Sequence, residues 1–411
     1  MTAEIQSYRA AYVIPMDRPP IPNGTVSVSA GQIVSVGKHR SGHSARSVQD
    51  LGDVAIIPAL VNAHSHLEFS QLLQPLGYPG IEFTAWIREV IQTRKTTNST
   101  LSEKSVAIRQ GLSESWSAGV GCIGEIATAP VDQDDYVLPP QPQGPLPIHL
   151  IVFNEQLGRS ESQFEQKIAD AKNFVSAKTN SRVTAGISPH APYSVHSKLL
   201  AGLVKLAIEQ RVPVAMHLAE TSAERELLER RTGPFVELLA DLGVWHAAAF
   251  LPPQNTLQVL QILAQAPRSL IVHGNYLNSA ELEFIARQPS HMSIIYCPRT
   301  HQFFGHERYP LEKILAAKIC LAIGTDSRAS NPDLNLFTEL QTVSQAYPGL
   351  SPLQVLEFGT LNGARALGVE PTYGSISPGK SAFLSLIRAA SIGSKDWDGL
   401  LSSDATCEPI R

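Results

Sequence analysis

Two histidines separated by a single residue, His64 and His66, are the first side chains whose spacing could do chemistry. They follow an apolar run at residues 56–61. Residues two apart at the end of a strand point to the same face, so both imidazoles can reach one ion. The alternative is a pair of solvated loop histidines, which a chain with 13 histidines also produces by chance. The position directly after a buried run favours a metal site.

His217 and Asp326 also follow apolar runs, at residues 212–216 and 321–325. Taken alone, His217 reads as a core histidine and Asp326 as a turn or cap residue. Together with the first pair they make three imidazoles and one carboxylate, a set that suits Zn²⁺ or Fe²⁺. One site explains all four residues better than four unrelated roles do. The sequence therefore predicts a single divalent metal, zinc before iron, bound by His64, His66, His217 and Asp326.

The elements that must position these ligands lie between residues 54 and 369, where eight apolar runs predict strands. Helix-like stretches such as 197–210 and 223–242 separate most of them, a pattern typical of a covered parallel sheet. Six runs end in side chains capable of chemistry, as the active site of a (β/α)₈ barrel requires, whereas a doubly wound sheet needs them at one point. The runs are 54–62, 121–126, 147–153, 183–187, 213–216, 269–272, 292–296 and 319–323. The polar ends are His64/His66, Glu125, His190, His217, His273 and Asp326.

Both ends of the chain have a different, β-rich pattern. Short β-branched segments at 8–14, 25–29 and 32–36 are separated by turn residues, and a matching piece lies at 374–387. Chain ends often lie close together. We therefore expect residues 1–53 and 370–411 to form a small β-sandwich domain beside a TIM-type barrel domain at 54–369.

Composition limits the partners of this 411-residue chain. Its net charge is −4 and its basic residues are dispersed, which argues against nucleic acid and favours a small-molecule substrate. No apolar run reaches the roughly 20 residues that span a bilayer, and the first residues do not resemble a signal peptide. The four cysteines have no CxxC spacing, so a disulfide framework is not expected. These features predict a cytoplasmic protein without a membrane partner.

Four segments together resemble the amidohydrolase superfamily. They are His64-Ser65-His66, His217-Leu218-Ala219-Glu220, His273-Gly274-Asn275 and Gly324-Thr325-Asp326-Ser327. The resemblance is nearest to the aminohydrolase branch, which includes adenosine-type and S-adenosylhomocysteine-type deaminases, guanine deaminase and triazine hydrolases. It covers nearly the whole chain and is compatible with a homodimer.

The resemblance implies hydrolytic deamination. A metal lowers the pKa of bound water toward about 7, and Asp326 beside that water would accept its proton. Glu220 would protonate a ring nitrogen and then the departing amine, although it also suits the first turn of a helix. His273 would hold the hydroxide or the developing oxyanion and not bind metal. The expected reaction is attack by metal-bound hydroxide at an amidine carbon with loss of ammonia.

The resemblance leaves the number of metals open. Binuclear members of the superfamily bridge two metals with a carboxylated lysine or a glutamate. The third and fourth predicted strands end without a lysine, but Glu125 and Glu155 remain as bridges. The HxxE spacing of His217 and Glu220 favours one metal.

Two segments bear on the substrate. His190, within Ser188-Pro189-His190-Ala191-Pro192, resembles a deaminase histidine that contacts the substrate, although a loop histidine between two prolines is an equal alternative. Glu68, within His66-Leu67-Glu68-Phe69-Ser70, resembles the signature of aminodeoxyfutalosine deaminases, which act on an adenine nucleoside carrying a benzoate. We therefore place both among the substrate-binding candidates.

Three more residues are weighed for the substrate. S-adenosylhomocysteine-type deaminases carry a ribose-binding glutamate where this chain has Thr93-Arg94-Lys95. A basic group there, or Arg299, could pair with a substrate carboxylate, and a solvated helix end is the plainer reading of Arg94. Trp86 is either an aromatic wall of the pocket or part of the buried face of a helix.

Two other functions stay open. The same metal site could hydrolyse a C–Cl, amide or carbamate bond, and no residue excludes it. A barrel without catalysis, serving as a binding scaffold, is the alternative of a different class. The complete ligand set argues against the scaffold.

Overall fold

The computed structural model describes residues 4–39, 48–96, 101–128, 136, 148–177, 182–246, 255–393 and 397–410. The strands are β1 Gln6–Val13, β2 Ile21–Ser29, β3 Gln32–Lys38, β4 Val48–Asp50, β5 Ala55–Pro58, β6 Leu60–Ser65, β7 Val120–Thr128, β8 His149–Gln156, β9 Val183–Pro189, β10 Val214–Leu218, β11 Ser269–His273, β12 Met292–Tyr296, β13 Cys320–Ile323, β14 Leu384–Arg388 and β15 Thr406–Pro409. The helices are α1 Phe83–Thr96, α2 Leu101–Ser117, α3 Phe164–Ser176, α4 Ser197–Gln210, α5 Ser222–Arg230, α6 Pro234–Asp241, α7 Thr256–Leu263, α8 Ser279–Ala286, α9 Pro298–Phe303, α10 Leu311–Ala316, α11 Leu336–Ala346, α12 Pro352–Phe358 and α13 Leu361–Leu367.

Strands β6 to β13 form an eight-stranded parallel sheet in which neighbours in sequence are neighbours in space. A parallel bridge between Ser65 and Asp326 joins the first strand to the segment after the last, which closes the sheet into a barrel. The (β/α)₈ prediction is confirmed. Because carboxyl ends of parallel strands share one rim, residues scattered from 64 to 326 in the sequence meet there.

The remaining strands form a second sheet from both ends of the chain. Its order is β15-β14-β5-β1-β2-β3, with β4 paired to β1. The small terminal β domain is thus present, and in the described residues it is one mixed sheet where a sandwich was expected. Strands β1 and β5 pair in parallel, while β14 runs antiparallel to β5.

Two elements differ from the sequence prediction. The run at 54–62 is two strands, because β5 pairs in the terminal sheet and β6 begins the barrel. The helix expected at 223–242 is broken into α5 and α6 by Gly233, which has φ +92° and precedes the proline that starts α6. Pro147, in the third predicted run, lies outside the described residues.

The main hydrophobic core lies between the outer face of the barrel strands and the helices. A smaller cluster, which includes Val61, Phe153, Ala215 and Ile295, lies around alternate residues of the strands. A third packs the terminal sheet. None of the described helices is long and apolar enough to cross a membrane.

Candidate active site

The end of β6 is held in place by its neighbours. The Asn62 side chain accepts hydrogen bonds from the backbone N–H of His64 (3.3 Å) and of Thr325 (3.1 Å), which ties the first strand to the last. Directly after His66, the Leu67 N–H donates to both carboxylate oxygens of Glu125 at 3.0 Å. These bonds hold the segment that carries His64 and His66, both of them buried.

His217, at the end of β10, has one ring nitrogen engaged and one available. Its Nδ1 lies 2.9 Å from the carbonyl oxygen of His190. A carbonyl can only accept, so Nδ1 carries the proton and the lone pair is on Nε2. That Nε2 lies 3.3 Å from Nε2 of His66. His217 therefore presents a lone pair toward the first histidine pair.

Asp326 lies just beyond β13 and faces the same point. Its Oδ1 is 3.5 Å from Nε2 of His64 and 3.6 Å from Nε2 of His66. Its Oδ2 accepts a hydrogen bond from the Ser330 hydroxyl at 3.2 Å. The residue has φ +58°, a conformation that non-glycine residues rarely adopt, and its N–H is bonded to the His64 carbonyl.

The spacing of these ligand atoms fits a divalent metal. Ligand atoms of His64, His66 and His217 lie within 4.8 Å of one another. Zn–N bonds of about 2.0–2.1 Å in a tetrahedron separate the ligand atoms by about 3.3–3.4 Å, close to the distances found. Both ring nitrogens of His64 and Nδ1 of His66 are buried and have no hydrogen-bond partner among the described residues. A cation at the centre would satisfy the lone pairs directed there.

The electrostatics favour the ligating forms of these side chains. Burial lowers the pKa of His66 well below its ordinary value and that of His217 to about 3, so both rings are neutral at neutral pH. Burial opposes ionisation of Asp326, but the neighbouring His64, His273 and His66 outweigh it and lower its pKa. Neutral imidazoles beside a carboxylate are the forms that bind a metal.

Glu220 and His273 lie next to this cluster as a pair. Nε2 of His273 is 3.3 Å from Oε1 of Glu220, and both side chains are buried. Burial, followed by the charges of Asp326 and Glu224, raises the pKa of Glu220 well above its ordinary value. A carboxyl group with a raised pKa holds its proton to higher pH than usual and is suited to donate it to a bound molecule.

One cavity of about 630 Å³ opens onto the cluster. At one end it is lined by His66, His190, His217, Glu220, His273 and Asp326. Away from that end its wall is largely apolar and comes from α1, α6 and the residues after α6. That wall includes Phe69, Phe83, Trp86, Ile87, Val90, Ile91, Leu238, Leu239, Leu242 and Val244.

Two of the substrate-binding candidates line this cavity. Trp86 forms part of the wall, and its indole N–H donates to the Ala329 carbonyl at 3.0 Å. His190 lines the cavity beside the ligands; its Nδ1 is 2.6 Å from the Ser194 hydroxyl, and burial lowers its pKa to about 3. Their contact with substrate remains a prediction.

The structure does not place the other two candidates, Arg299 and Glu68, in the lining of this cavity. Arg299 does not line the cavity: its guanidinium pairs with Asp333 and Glu339, both at 2.6 Å. The Arg299 guanidinium is therefore already paired with two carboxylates of the protein, where a substrate carboxylate was expected. Glu68 is also absent from the lining, because its carboxylate turns toward Arg94, with Oε1 2.5 Å from Nη2.

Three residues that line the cavity were given no firm substrate role by the sequence analysis. Arg94 was read as a solvated helix end, yet it belongs to the wall beside Phe69. Arg159 and Tyr193 follow the third and fourth barrel strands and also line the cavity. For Arg159 and Tyr193 the position just beyond a barrel strand was an available signal, since active-site loops lie there.

A second cluster of ligand atoms consists of Glu155, His190 and His217. His217 has a single lone pair available, on Nε2, which faces the first cluster. The second cluster therefore cannot use His217 while the first does. Glu125, the other bridge considered, directs both its oxygens at the Leu67 N–H. The geometry favours one metal.

The fold and the cluster of metal-ligating side chains define a (β/α)₈-barrel hydrolase of the metal-dependent kind. A family model described as the amidohydrolase family matches residues 55–403. The chain therefore belongs to the amidohydrolase family, as its motifs predicted.

Named relatives refine this placement. The chain is 28% identical over 339 residues to an aminodeoxyfutalosine deaminase of a Nitratiruptor species, covering 81% of this chain and 78% of that one. It is 26% identical over 388 residues to a 5-methylthioadenosine/S-adenosylhomocysteine deaminase of Moorella thermoacetica, covering 91% and 83%. These matches bear out the prediction of a hydrolase acting on C–N bonds.

The fold recurs in a solved structure. Helicobacter pylori aminofutalosine deaminase superposes with a TM-score of 0.81 at 20% identity, covering 99% of this chain and 100% of that chain. At this identity the likeness concerns the fold.

Proposed function

We propose that this chain is a zinc-dependent deaminase of adenine nucleosides, with His64, His66, His217 and Asp326 as the metal ligands. The observation that carries the proposal is the pair Glu220–His273, 3.3 Å apart and next to the ligand cluster. A metal-dependent hydrolase of an amidine carbon needs a proton donor and a group that stabilises negative charge beside its nucleophile. Both are present in the cavity. The relatives described above support a nucleoside substrate.

Each side chain then has a defined task. When bound, zinc makes water nucleophilic at neutral pH. Asp326, with its pKa lowered, accepts a proton as water attacks. Glu220, with its pKa raised, donates its proton to the ring nitrogen. The two protons that water gives up, one of them through Asp326, return Glu220 to its protonated form and convert the departing amino group to ammonia. His273 stabilises the charge that develops on the oxygen.

The shape of the cavity supports a substrate larger than a free base. Its volume of about 630 Å³ falls within the range of about 300–1,000 Å³ usual for small-molecule sites. The wall contributed by α1 and α6 is apolar, which suits an apolar or aromatic substituent on the nucleoside. An adenine nucleoside with an aromatic substituent, such as aminodeoxyfutalosine, fits this description.

The test is ammonia release by zinc-loaded protein from adenosine, 5-methylthioadenosine, S-adenosylhomocysteine and aminodeoxyfutalosine. We expect turnover of at least one of them. Replacing Glu220→Gln should lower kcat by at least about 100-fold, as removal of a general acid does, with zinc content unchanged. Inactivity on every nucleoside together with hydrolysis of chloro- or amide-bearing heterocycles would select the alternative hydrolase. Less than stoichiometric zinc would select the scaffold.

A further inference from the structure

Glu155, at the end of β8, is a buried carboxylate in the cavity wall that the proposed chemistry does not use. Only 3% of the residue is exposed. Its Oε2 lies 2.9 Å from the Thr128 hydroxyl. Its Oε1 is buried and accepts no hydrogen bond from the described part of the chain. One oxygen of this carboxylate therefore has a donor, and the other, in a residue that lines the cavity, has none among the described residues.

A buried carboxylate oxygen with no donor is energetically costly, because burial removes the water that would otherwise solvate it. The nearest ring nitrogen is Nε2 of His190 at 3.9 Å, beyond hydrogen-bond distance. His217 cannot recruit Oε1 into a second metal site, since its one lone pair faces His66. A donor on a molecule bound in the cavity would satisfy this oxygen.

Glu155 is connected to a network of charged side chains through the Thr128 hydroxyl. The Thr128 hydroxyl has one proton and lies 2.9 Å from both Glu155 Oε2 and Glu68 Oε1. Glu68 also receives Arg94 at 2.5 Å and Lys104 at 3.5 Å. Since Glu68 has two cationic partners, the Thr128 proton is available to Glu155. Thr128 and Glu68 thus act as positioning residues.

We propose that Glu155 is a specificity-determining residue whose Oε1 accepts a hydrogen bond from the 2′- or 3′-hydroxyl of the substrate's sugar. This inference rests on the proposed function. Ligand atoms of Glu155, His190 and His217 lie within 4.8 Å of one another. The Glu155 carboxylate is therefore close to the proposed metal ligand His217 without being one of the four proposed ligands. For a purine whose amidine carbon reacts at the metal, the next hydrogen-bond donors outward are the hydroxyls of its sugar.

The experiment compares adenosine with 2′-deoxyadenosine and 3′-deoxyadenosine as substrates of zinc-loaded wild type and Glu155→Gln. Hydrogen bonds to charged groups are strong, so wild type should lose about 10–100-fold in kcat/KM with the deoxynucleoside that lacks the contacted hydroxyl. In E155Q, which keeps the shape and loses the charge, that ratio should shrink to about threefold. Zinc content should stay the same.

A second variant and a control make the test decisive. Glu155→Ala removes the acceptor, and the ratio should approach one. Glu281→Gln is the matched control: Glu281 is another buried carboxylate, paired with Arg225 away from the cavity lining, so the wild-type ratio should persist.

Three outcomes would overturn the inference while leaving deamination intact. They are equal rates of wild type on all three nucleosides, an unchanged ratio in E155Q, and zinc lost in proportion to activity. Failure of wild type to deaminate any nucleoside would instead overturn the proposed function, and this inference with it.

Discussion

The ligand cluster depends on which atom of each side chain carries a proton. The His190 carbonyl holds the proton of His217 on Nδ1, and the Ser330 hydroxyl holds Oδ2 of Asp326. Each contact leaves one atom, Nε2 or Oδ1, available to bind the proposed metal. Such outer partners orient ligands and tune their basicity.

Replacing Asp326→Asn should therefore weaken zinc binding more than replacing its partner, Ser330→Ala. The amide keeps the shape but loses the charge that balances the metal. Loss of an outer partner usually costs about 10–100-fold in metal affinity. We therefore expect S330A to lose at most about 100-fold in zinc affinity, and D326N to lose more than that. Competition with a chelator of known affinity measures both. Equal losses would contradict the assignment of Asp326 as a ligand.

Two histidines near α9 predict a pH dependence of stability that is independent of the metal. Burial lowers the pKa of His301 to about 4, and burial with the nearby His301 lowers that of His306 to about 4, from 6.5. Between about pH 4 and 6.5 the unfolded chain binds more protons, so stability rises with pH in this window. Each histidine contributes up to about 1.4 kcal/mol per pH unit.

Changing His301 and His306 to glutamine should flatten that dependence. Chemical denaturation of wild type and the double variant between pH 4 and 7 is the measurement. An identical slope in the two proteins would show that these rings are protonated in the folded state as well.

At the scale of elements, the rim is made by abrupt turns at strand ends. Ala219, His273 and Asp326 each follow or end a barrel strand and have φ between +53° and +70°. This conformation is rare for non-glycine residues and needs support from neighbours. The Tyr309 hydroxyl donates to the His273 carbonyl, and the Asn331 amide donates to the Thr325 carbonyl. The turns bring neighbouring strand ends toward one cavity.

Close packing between the first and last barrel strands leads to a third prediction. A Cβ at Gly324 would lie 2.7 Å from Cβ of His64 and 2.9 Å from its carbonyl oxygen. Gly324→Ala should separate β6 from β13, lower the free energy of unfolding by about 1–3 kcal/mol, and weaken zinc binding. Denaturant unfolding and zinc titration check both effects.

Gly349→Ala is the control, because nothing lies within 4 Å of a Cβ there. We expect little change in either measurement. Zinc binding by G324A equal to that of G349A would mean that the strand contact does not position His64.

The barrel strands could be predicted because each is a short apolar run bounded by turn residues. Periodicity could not show that β5 and β6 belong to different sheets. Both are buried, and the chain changes partners at Ala59, whose N–H bonds to Phe383 while the next N–H bonds to Gly119. The change of sheet depends on hydrogen bonds between residues far apart in the chain, and the local sequence pattern does not reveal such bonds.

At the scale of the whole molecule, the C-terminal segment belongs to the same core as the barrel. Ile387, Leu400 and Cys407 are in one cluster with Leu112 and Val120. The Ser385 hydroxyl donates to the Gly119 carbonyl just before β7. The terminal sheet and the barrel are thus joined by shared packing and by the strand pair β14–β5.

Removing residues 381–411 should therefore destabilise the barrel together with the terminal sheet. The deletion exposes apolar residues of α2 and β7 and leaves β5 with an unpaired edge. We expect loss of the cooperative thermal transition seen by circular dichroism, and aggregation in size-exclusion chromatography. A truncated chain that unfolds cooperatively at the wild-type temperature would show that the barrel is independent.

The sequence by itself determined the barrel, the four candidate ligands and the family, because each is visible in residue types and in short patterns at the ends of successive apolar runs. Only the tertiary structure decided which charged residues reach the cavity. Arg299 pairs with two carboxylates and Glu68 pairs with Arg94, whereas Glu155 lines the cavity with one oxygen that accepts no hydrogen bond from the described residues. The physical reason is that a charged side chain pairs with the nearest opposite charge. That partner is set by contacts between residues far apart in the chain.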